Sequence, residues 1–206
     1  MNEKSILRGV LSFGIIGLFL GVMFLVLGCP RPEKKEVGTA TTQQTTAKPP
    51  MPAPEAQKEF KIWSTQFADM DMIPEKYTAD GENVSPPLSI EGVPADAKSL
   101  ALIMEDPDAP GGIWVHWVVF NIPPGTKEIA ENSVPAGATV GKNSWGKNEY
   151  GGPAPPSGVH RYVFKLYALD TTLHIEPTAT KADLEKAMEG HILAETSFTG
   201  KYTRER

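Results

Sequence analysis

Cysteine is almost missing from this chain of 206 residues, which contains a single one, Cys29. One cysteine excludes a disulfide within the chain, so the fold must be stabilised by its packed core alone. Aromatic residues are also few, at 8%. Hydrophobic residues nevertheless make up 40% of the sequence, which is enough for one ordinary domain with an additional segment.

An excess of positive charge is absent as well, because 20 Lys and Arg stand against 25 Asp and Glu, a net charge of −5. Without residues 1–28, which contain Glu3, Lys4 and Arg8, the net charge becomes −6. Such a domain lacks the basic surface that nucleic acid requires, so we expect no nucleic-acid partner. Anionic lipid should repel it slightly, so attachment to a membrane depends on an anchor.

The N-terminus holds an uncharged apolar run at residues 10–27, preceded by Lys4 and Arg8. The sequence "VLGC" at 26–29 follows it and resembles the lipobox of bacterial lipoproteins. We expect a signal peptide at 1–28 and a lipid on Cys29. An uncleaved anchor is the alternative, because about 18 apolar residues can cross a bilayer. Both interpretations predict a domain on the extracytoplasmic face of the cell membrane.

Large apolar side chains are nearly absent from residues 30–58, which are rich in Pro, Thr, Gln and Ala. Such a segment cannot bury enough surface to offset the entropy lost on ordering. The composition predicts a disordered tether at 29–58 and a globular domain at 59–206.

Runs rich in β-branched and aromatic residues, separated by turn residues, indicate an all-β fold. They predict strands at 60–64, 99–105, 113–122, 161–169 and 195–202. Residues 141–160 contain too much Gly and Pro for regular structure, and loops of that length are usually functional or disordered.

One helix is predicted by a capping box of Thr180 and Asp183. Apolar positions and one histidine follow it at helical spacing: Leu184, Ala187, Met188 and His191. We therefore predict an antiparallel β-sandwich of two packed sheets with a short C-terminal helix.

Two of the predicted strands carry a histidine close to a loop rich in Pro and Gly. Because side chains alternate along a strand, one face of 113–122 should hold Trp114, His116, Val118 and Phe120. One face of the later strand should hold His160, Tyr162, Phe164 and Leu166. Asp106 ends a third buried strand at a loop. Convergence of these ends would form a small cavity rimmed by Asp106, His116, His160 and Tyr162.

Each of these residues also has a purely structural interpretation. A histidine in a strand is more often a core residue with satisfied hydrogen bonds than a ligand, and "DPDAP" at 106–110 could be only a turn. Clustering of polar groups where loops meet apolar strands favours function, because unpaired buried polar groups are costly. We assign no functional role to His174, in a loop, or to His191, on the helix. The tryptophans assigned to packing are Trp63, Trp117 and Trp145.

Several motifs occur together and in order between residues 73 and 204. They are "YTADGENVSPPL", "LALIMEDPDAP", "WVHWVVFNIP", "GGPAPPSGVHRYVFKLYALD" and "GHILAETSFTGKYTR". In these motifs the chain resembles the phosphatidylethanolamine-binding protein family, specifically its bacterial Raf kinase inhibitor-like (YbhB/YbcL) members. The resemblance implies the β-sandwich fold and a small pocket for phosphate-like groups. The matching pocket residues are Asp106, Pro110, Trp114, His116, His160 and Tyr162.

The sequence departs from the family at two places. Ala154 stands where bacterial relatives often carry a cysteine, so a redox role is not carried over. The eukaryotic C-terminal helix that helps to gate the pocket has no match in "GKYTRER". Regulation by partners through that helix is therefore not implied either.

Three classes of function remain open. The first, which we favour, is an anchored binding protein for phosphate-bearing or phospholipid head-group ligands, without a cofactor. The second is an inhibitor or regulator of an extracytoplasmic protease or another protein. The third is a hydrolase using Ser157 and His160, although no G-x-S-x-G elbow is present. A zinc site of Asp106, His116 and His160 matches no metal-binding spacing and is the weakest hypothesis.

A charge hypothesis connects the acid to the histidines. A neutral imidazole has one N–H, whereas a protonated imidazole has two donors and a positive charge. A carboxylate favours the protonated form of a neighbouring histidine. We expect Asp106 to act in this way on His116 or His160, so that anions bind better at lower pH.

Overall fold

The computed structural model describes residues 58–204. The predicted signal peptide, Cys29 and the tether up to residue 57 lie outside the described residues. Within them the chain forms eight strands, one α-helix and a 3₁₀ turn at Glu75–Tyr77. The strands are β1 Lys61–Ser64, β2 Leu88–Glu91, β3 Ser99–Asp106, β4 Trp114–Ile122, β5 Glu128–Ile129, β6 Thr139–Val140, β7 His160–Leu169 and β8 Ile192–Tyr202. The helix, α1, is Lys181–Met188 and lies between β7 and β8.

Two antiparallel sheets form the fold. The larger has the strand order β6-β4-β3-β7-β8, and the smaller has the order β1-β2-β5. The predicted all-β class with two sheets and one helix is confirmed. Strand β1 lies at an edge of the smaller sheet.

Strand β3 is the centre of the larger sheet, and all eight of its residues are buried. Its continuous apolar run, without alternation, is typical of a strand covered on both faces. One face packs against the smaller sheet, and the other packs against α1 and the segment before it. The sandwich core includes Ile62, Leu88, Ile90, Leu102, Met104, Trp117, Phe164 and Phe198. The helix-side core includes Ile103, Val115, Val118, Phe120, Leu173, Leu184 and Met188.

The capping box of α1 is formed as predicted, because Thr180 accepts from the Asp183 amide and the Asp183 carboxylate accepts from the Thr180 amide. Leu184 and Met188 are buried under the sheet. The placement of His191 on the helix is wrong. Gly190, with φ of +77°, lies between the helix and His191, and glycine commonly ends a helix in this conformation.

Several details could not be seen in the sequence pattern. Strand β8 begins at Ile192 instead of residue 195. Strands β2, β5 and β6 were not predicted, and the last two have only two residues each, too few to show a period. Trp63 is 38% exposed on the edge strand β1, so its assignment to packing is wrong, whereas Trp117 is buried as expected.

Candidate functional site

The topology brings three strand ends together. Strands β4 and β7 flank β3 and run antiparallel to it, so both begin next to the end of β3. Asp106, the last residue of β3, pairs with Trp114, the first residue of β4, and β7 begins at His160. The convergence that the sequence predicts is therefore present.

A cavity of about 360 Å³ opens at this junction. Its walls contain all six residues that the sequence singles out: Asp106, Pro110, Trp114, His116, His160 and Tyr162. Six further residues complete the lining: Ala109, Gly111, Trp145, Ala154, Pro155 and Pro156. The ionisable side chains are buried, and the apolar ones form a more open rim.

His116 reaches this cavity through a β-bulge. Met104 pairs with Trp117 but Glu105 pairs with Val115, so His116 is the extra residue on β4. A bulge bends the strand and redirects a side chain. The His116 ring lies 5.1 Å from the Tyr162 ring, whereas Val118 and Phe120 point to the helix-side core. The predicted common face of His116, Val118 and Phe120 is therefore wrong.

Alternation holds on β7, which has no bulge in this stretch. His160 and Tyr162 line the cavity, and Phe164 and Leu166 continue the same face into the sandwich core. This part of the prediction is confirmed.

Asp106 and His160 form a buried pair. Nδ1 of His160 donates to Oδ2 of Asp106 over 2.7 Å, and the side chains are 8% and 5% exposed, respectively. This bond fixes the ring orientation and leaves Nε2 for a ligand. In the neutral ring Nε2 is an acceptor, and protonation turns it into a donor.

The "DPDAP" turn is fastened to the start of β7. Oδ1 of Asp106 accepts from the Asp108 amide over 2.8 Å. Both carboxylate oxygens of Asp108 accept from the Arg161 guanidinium, at 2.9 and 2.7 Å. These hydrogen bonds, slightly opposed by burial, lower the pKa of Asp108 to about 2. The turn therefore holds Asp106 in place. The charge of Asp108 is balanced by Arg161, and neither residue lines the cavity.

His116 is held by backbone and not by Asp106. Its Nδ1 donates to the Gly151 carbonyl over 2.6 Å, and the Gly151 amide donates back to the His116 carbonyl. Burial lowers the pKa of His116, although the Gly151 hydrogen bond and the charge of Asp106 oppose this shift. His116 is therefore uncharged near neutral pH: Asp106 acts on this ring in the expected direction, but burial outweighs its effect.

Trp145 is the largest of the lining residues that the sequence analysis missed. It is 45% exposed and lines the cavity, with its ring 5.3 Å from Trp114 and 5.2 Å from His116. The assignment of Trp145 to packing is wrong. Its only sequence signal was its position in the long Gly- and Pro-rich loop.

The loop that carries Trp145 is organised by a buried amide. Oδ1 of Asn143 accepts from the amides of Trp145 and Lys147, each at 3.0 Å, and Nδ2 donates to the Glu149 carbonyl. A Cβ atom at Gly151 would overlap the Trp145 ring, so any other residue there would displace the ring. The loop is irregular but ordered by specific contacts.

Tyr162 supplies a buried hydroxyl on the cavity wall. Burial raises the pKa of this phenol, so it keeps its proton. The hydroxyl has no hydrogen bond of normal geometry within residues 58–204. The Ala154 backbone lies close enough to oppose the rise in its pKa, but less strongly than burial raises it. A buried donor without a good partner is costly, and a ligand or water in the cavity would satisfy it.

Neither Lys nor Arg is among the described residues that line the cavity. Within residues 58–204, no three His, Cys, Asp or Glu side chains are placed to hold a metal ion together. Ser157 is not part of the lining either. Charge in the cavity is therefore controlled by Asp106 and the two histidines.

Residues 63–203 match the sequence model of the phosphatidylethanolamine-binding proteins. The chain belongs to this family. A relative called UPF0098 protein, from Methanothermobacter thermautotrophicus, is 56% identical over 143 residues, which cover 67% of this chain and 95% of the relative.

Two solved structures of family members share the fold. A phosphatidylethanolamine-binding protein homologue from Chlamydia trachomatis is 42% identical, with a TM-score of 0.69 over 71% of this chain and 98% of the other. YbcL of Escherichia coli, described as a member of the mammalian family, is 30% identical, with a TM-score of 0.68 over 72% of this chain and its whole length. The family assignment that the sequence motifs predict is confirmed.

Proposed function

We propose that this chain is an extracytoplasmic, membrane-anchored binding protein whose cavity accepts the phosphate group of a small ligand or phospholipid head group. The observation that carries the proposal is the convergence of two histidines, one carboxylate and one tyrosine hydroxyl at the base of a single cavity. Both Nδ1 atoms are already used, by Asp106 and by Gly151, so each Nε2 remains for a ligand.

An anion in this cavity must arrive with a proton or find one there. With neutral rings, both Nε2 atoms are acceptors and Asp106 contributes negative charge. Protonation of His160 adds a donor beside Asp106, and the Tyr162 hydroxyl adds another. A phosphate that carries its own proton could instead donate to Nε2 of His116. Both routes favour binding at lower pH.

The hydrolase hypothesis has less support. His160 and Asp106 form a pair that a serine could join, but Ser157 is exposed in the loop and does not line the cavity. We therefore favour binding over catalysis.

Calorimetric titration with phosphoethanolamine tests the proposed ligand chemistry. His116→Ala and His160→Ala should each weaken binding by about 1.5–3 kcal/mol, the range for hydrogen bonds to charged groups. The matched control is His191→Ala, because His191 also pairs with a carboxylate, Asp170, at 2.8 Å but lies outside the cavity. Full affinity in both cavity variants would refute the proposal.

The anchor requires a separate experiment, because Cys29 and the apolar run at 10–27 lie outside the described residues. Within residues 58–204, no helix is long and apolar enough to cross a membrane. Cells grown with labelled palmitate should label the wild-type chain and not Cys29→Ser. Label on the Ser variant would contradict lipidation at this residue.

A further inference from the structure

Strand β8 forms one edge of the larger sheet, and a neighbouring segment covers the end of this strand. The Met70 amide donates to the Thr199 carbonyl over 2.7 Å, and the Ile73 amide donates to the Lys201 carbonyl over 2.7 Å. Backbone groups of successive residues in a strand point alternately to its two sides. Thr199 and Lys201 therefore direct their backbone groups away from β7.

The preceding part of the same edge is open. Ser197 and Glu195 lie two and four residues before Thr199, so their amides and carbonyls also point outward. Within residues 58–204, β8 is the last strand of the sheet, so no strand pairs with these groups. Proteins usually protect an open edge with proline, lysine or a β-bulge, and residues 194–198 contain none of the three. This edge can therefore accept a further strand.

A cavity of about 250 Å³, separate from the candidate site, lies along this open edge. Three of its lining residues are consecutive on β8, namely Glu195, Thr196 and Ser197, and the other two are Lys165 and Tyr167 on β7. Tyr167 pairs with Glu195 and Lys165 pairs with Ser197, so these side chains share one face of the sheet. Ligand pockets usually exceed about 300 Å³, so this cavity suits a single side chain better than a separate small molecule.

The wall of this cavity contains a hydroxyl that lacks a partner. Tyr167 is 8% exposed, and within the described part of the chain its hydroxyl makes no hydrogen bond. Burial, followed by the charge of Glu195, raises the pKa of this phenol to about 12, so it keeps its proton. A hydroxyl can both donate and accept, and a polar group that enters the cavity would satisfy it.

The uncompensated charge at this cavity is negative. Lys165 is neutralised by Glu105 at 2.6 Å, whereas Glu195 is exposed and forms no ion pair within residues 58–204. This difference favours a positively charged side chain as the occupant. A second copy of β8 would instead bring another Glu195 to the same edge, and like charges on neighbouring strands are destabilising.

From these observations we infer that β8 binds an extended peptide segment of another protein, which adds a strand along residues 194–198 and places a Lys or Arg side chain in the cavity beside Glu195 and Tyr167. In this kind of recognition, main-chain hydrogen bonds supply affinity and a side-chain pocket supplies specificity. The surface is independent of the proposed phosphate-binding cavity, because β8 reaches His160 only at its other end, at Tyr202.

Fluorescence anisotropy with the full chain tests the interaction. The probe is a labelled synthetic peptide with blocked ends, Thr-Val-Thr-Arg-Thr-Val-Thr, and a second peptide carries Glu in place of Arg. Wild type should bind the Arg peptide about fivefold more tightly than the Glu peptide, the upper end for a partly exposed ion pair. An Arg peptide that is methylated at its backbone amides should not bind, because it cannot donate to the strand edge.

Glu195→Lys should reverse the order of the two affinities, an outcome that loss of folding cannot produce. The matched control is Glu128→Lys, which makes the same change on an exposed residue of β5, an edge strand of the smaller sheet, and should keep the wild-type order. Ser197→Pro removes one outward amide, and edge strands tolerate proline where the amide faces solvent. This variant should lose binding of the Arg peptide while urea unfolding stays cooperative.

Three results would overturn the inference. The first is equal affinity of wild type for the Arg and Glu peptides, or undiminished binding in Ser197→Pro. The second is a wild-type dimer in sedimentation velocity that Ser197→Pro converts to a monomer, because a second copy would then occupy the edge. The third is tighter peptide binding after deletion of residues 30–57, which would assign the edge to the chain's own N-terminal segment.

Discussion

Glu105 and Asp106 are neighbours on β3 and carry the same charge, but they lie in opposite surroundings. Glu105 points to the helix side, where it forms ion pairs with Lys165 at 2.6 Å and Lys181 at 2.7 Å. Asp106 points to the cavity, where its side-chain partners are a histidine and a backbone amide. Both carboxylates are almost fully buried.

The difference separates a structural carboxylate from the one that we propose to be functional. Two lysines neutralise Glu105 and connect β3 to β7 and to α1. Asp106 is paired with a histidine, His160, beside an open cavity. Burial of an acid therefore does not identify a site, whereas an acid paired with a histidine at a cavity is a candidate for one.

The largest expected effect tests whether the two sides of the sheet contribute equally to stability. Phe164 lies in the sandwich core and Phe120 in the helix-side core, and both are fully buried. Replacement of either by alanine should lower the free energy of unfolding by about 3–5 kcal/mol, the usual cost for a buried phenylalanine. Urea unfolding followed by fluorescence measures it. A loss below about 1 kcal/mol for Phe120→Ala would show that the helix side is not a true core.

Glu105→Gln should affect stability and leave binding unchanged. It leaves Lys165 without its partner and Lys181 with only Glu185, at 3.4 Å. We expect a loss of about 2–3 kcal/mol, below the usual range for a broken buried pair, because both lysines are partly solvated. Asp106→Asn is the matched variant one residue away. Weakened phosphoethanolamine binding in Glu105→Gln would contradict the separation of the two sides.

The pH dependence of this loss has a defined sign. Burial alone would raise the pKa of Glu105, but hydrogen bonds from Lys165 and Lys181 hold it below its ordinary value. Its stabilisation should therefore be complete above the unfolded pKa of about 4.3 and decrease as the pH falls below it. Unfolding curves of wild type and Glu105→Gln should converge toward low pH. A constant difference would contradict this sign.

Asp106→Asn should instead change ligand binding. Glycerophosphoethanolamine is a suitable probe, because its phosphodiester keeps its charge between pH 6 and pH 8. Wild type should bind it more tightly at pH 6, by at most about tenfold per pH unit for one proton taken up. The Asn variant should lose most of this dependence, since it keeps the shape and removes the charge, while Glu105→Gln should retain it. Equal wild-type affinity at both pH values would exclude a proton-linked site.

The smallest effect is expected for the third acid of the segment, Asp108, which is partly exposed and pairs with the exposed Arg161. Asp108→Ala should lower the free energy of unfolding by less than about 1 kcal/mol, because solvent screens exposed pairs. Added salt should reduce the difference further. A loss as large as that of Glu105→Gln would show that the turn is part of the core.

Sequence patterns predicted the long strands because each combines β-forming residues with turn residues at its ends. They also placed Asp106, His116 and His160 at strand ends. They missed Trp145, because its loop has no period. They also missed the bulge at His116, because the extra residue of a bulge shows only in the pairing with the neighbouring strand. Strands β5 and β6 were missed because two residues are too few to show a period.

By itself, the sequence determined the family, the long strands, the capped helix and the residue types available at the junction, because these depend on local patterns and motifs. Only the tertiary structure decided which histidine pairs with Asp106, which one stays neutral and where Trp145 lies. The Asp106–His160 contact joins residues 54 positions apart, and its geometry depends on strand register and on the packing of the loop. Such long-range packing is set by the whole fold, so no local pattern contains it.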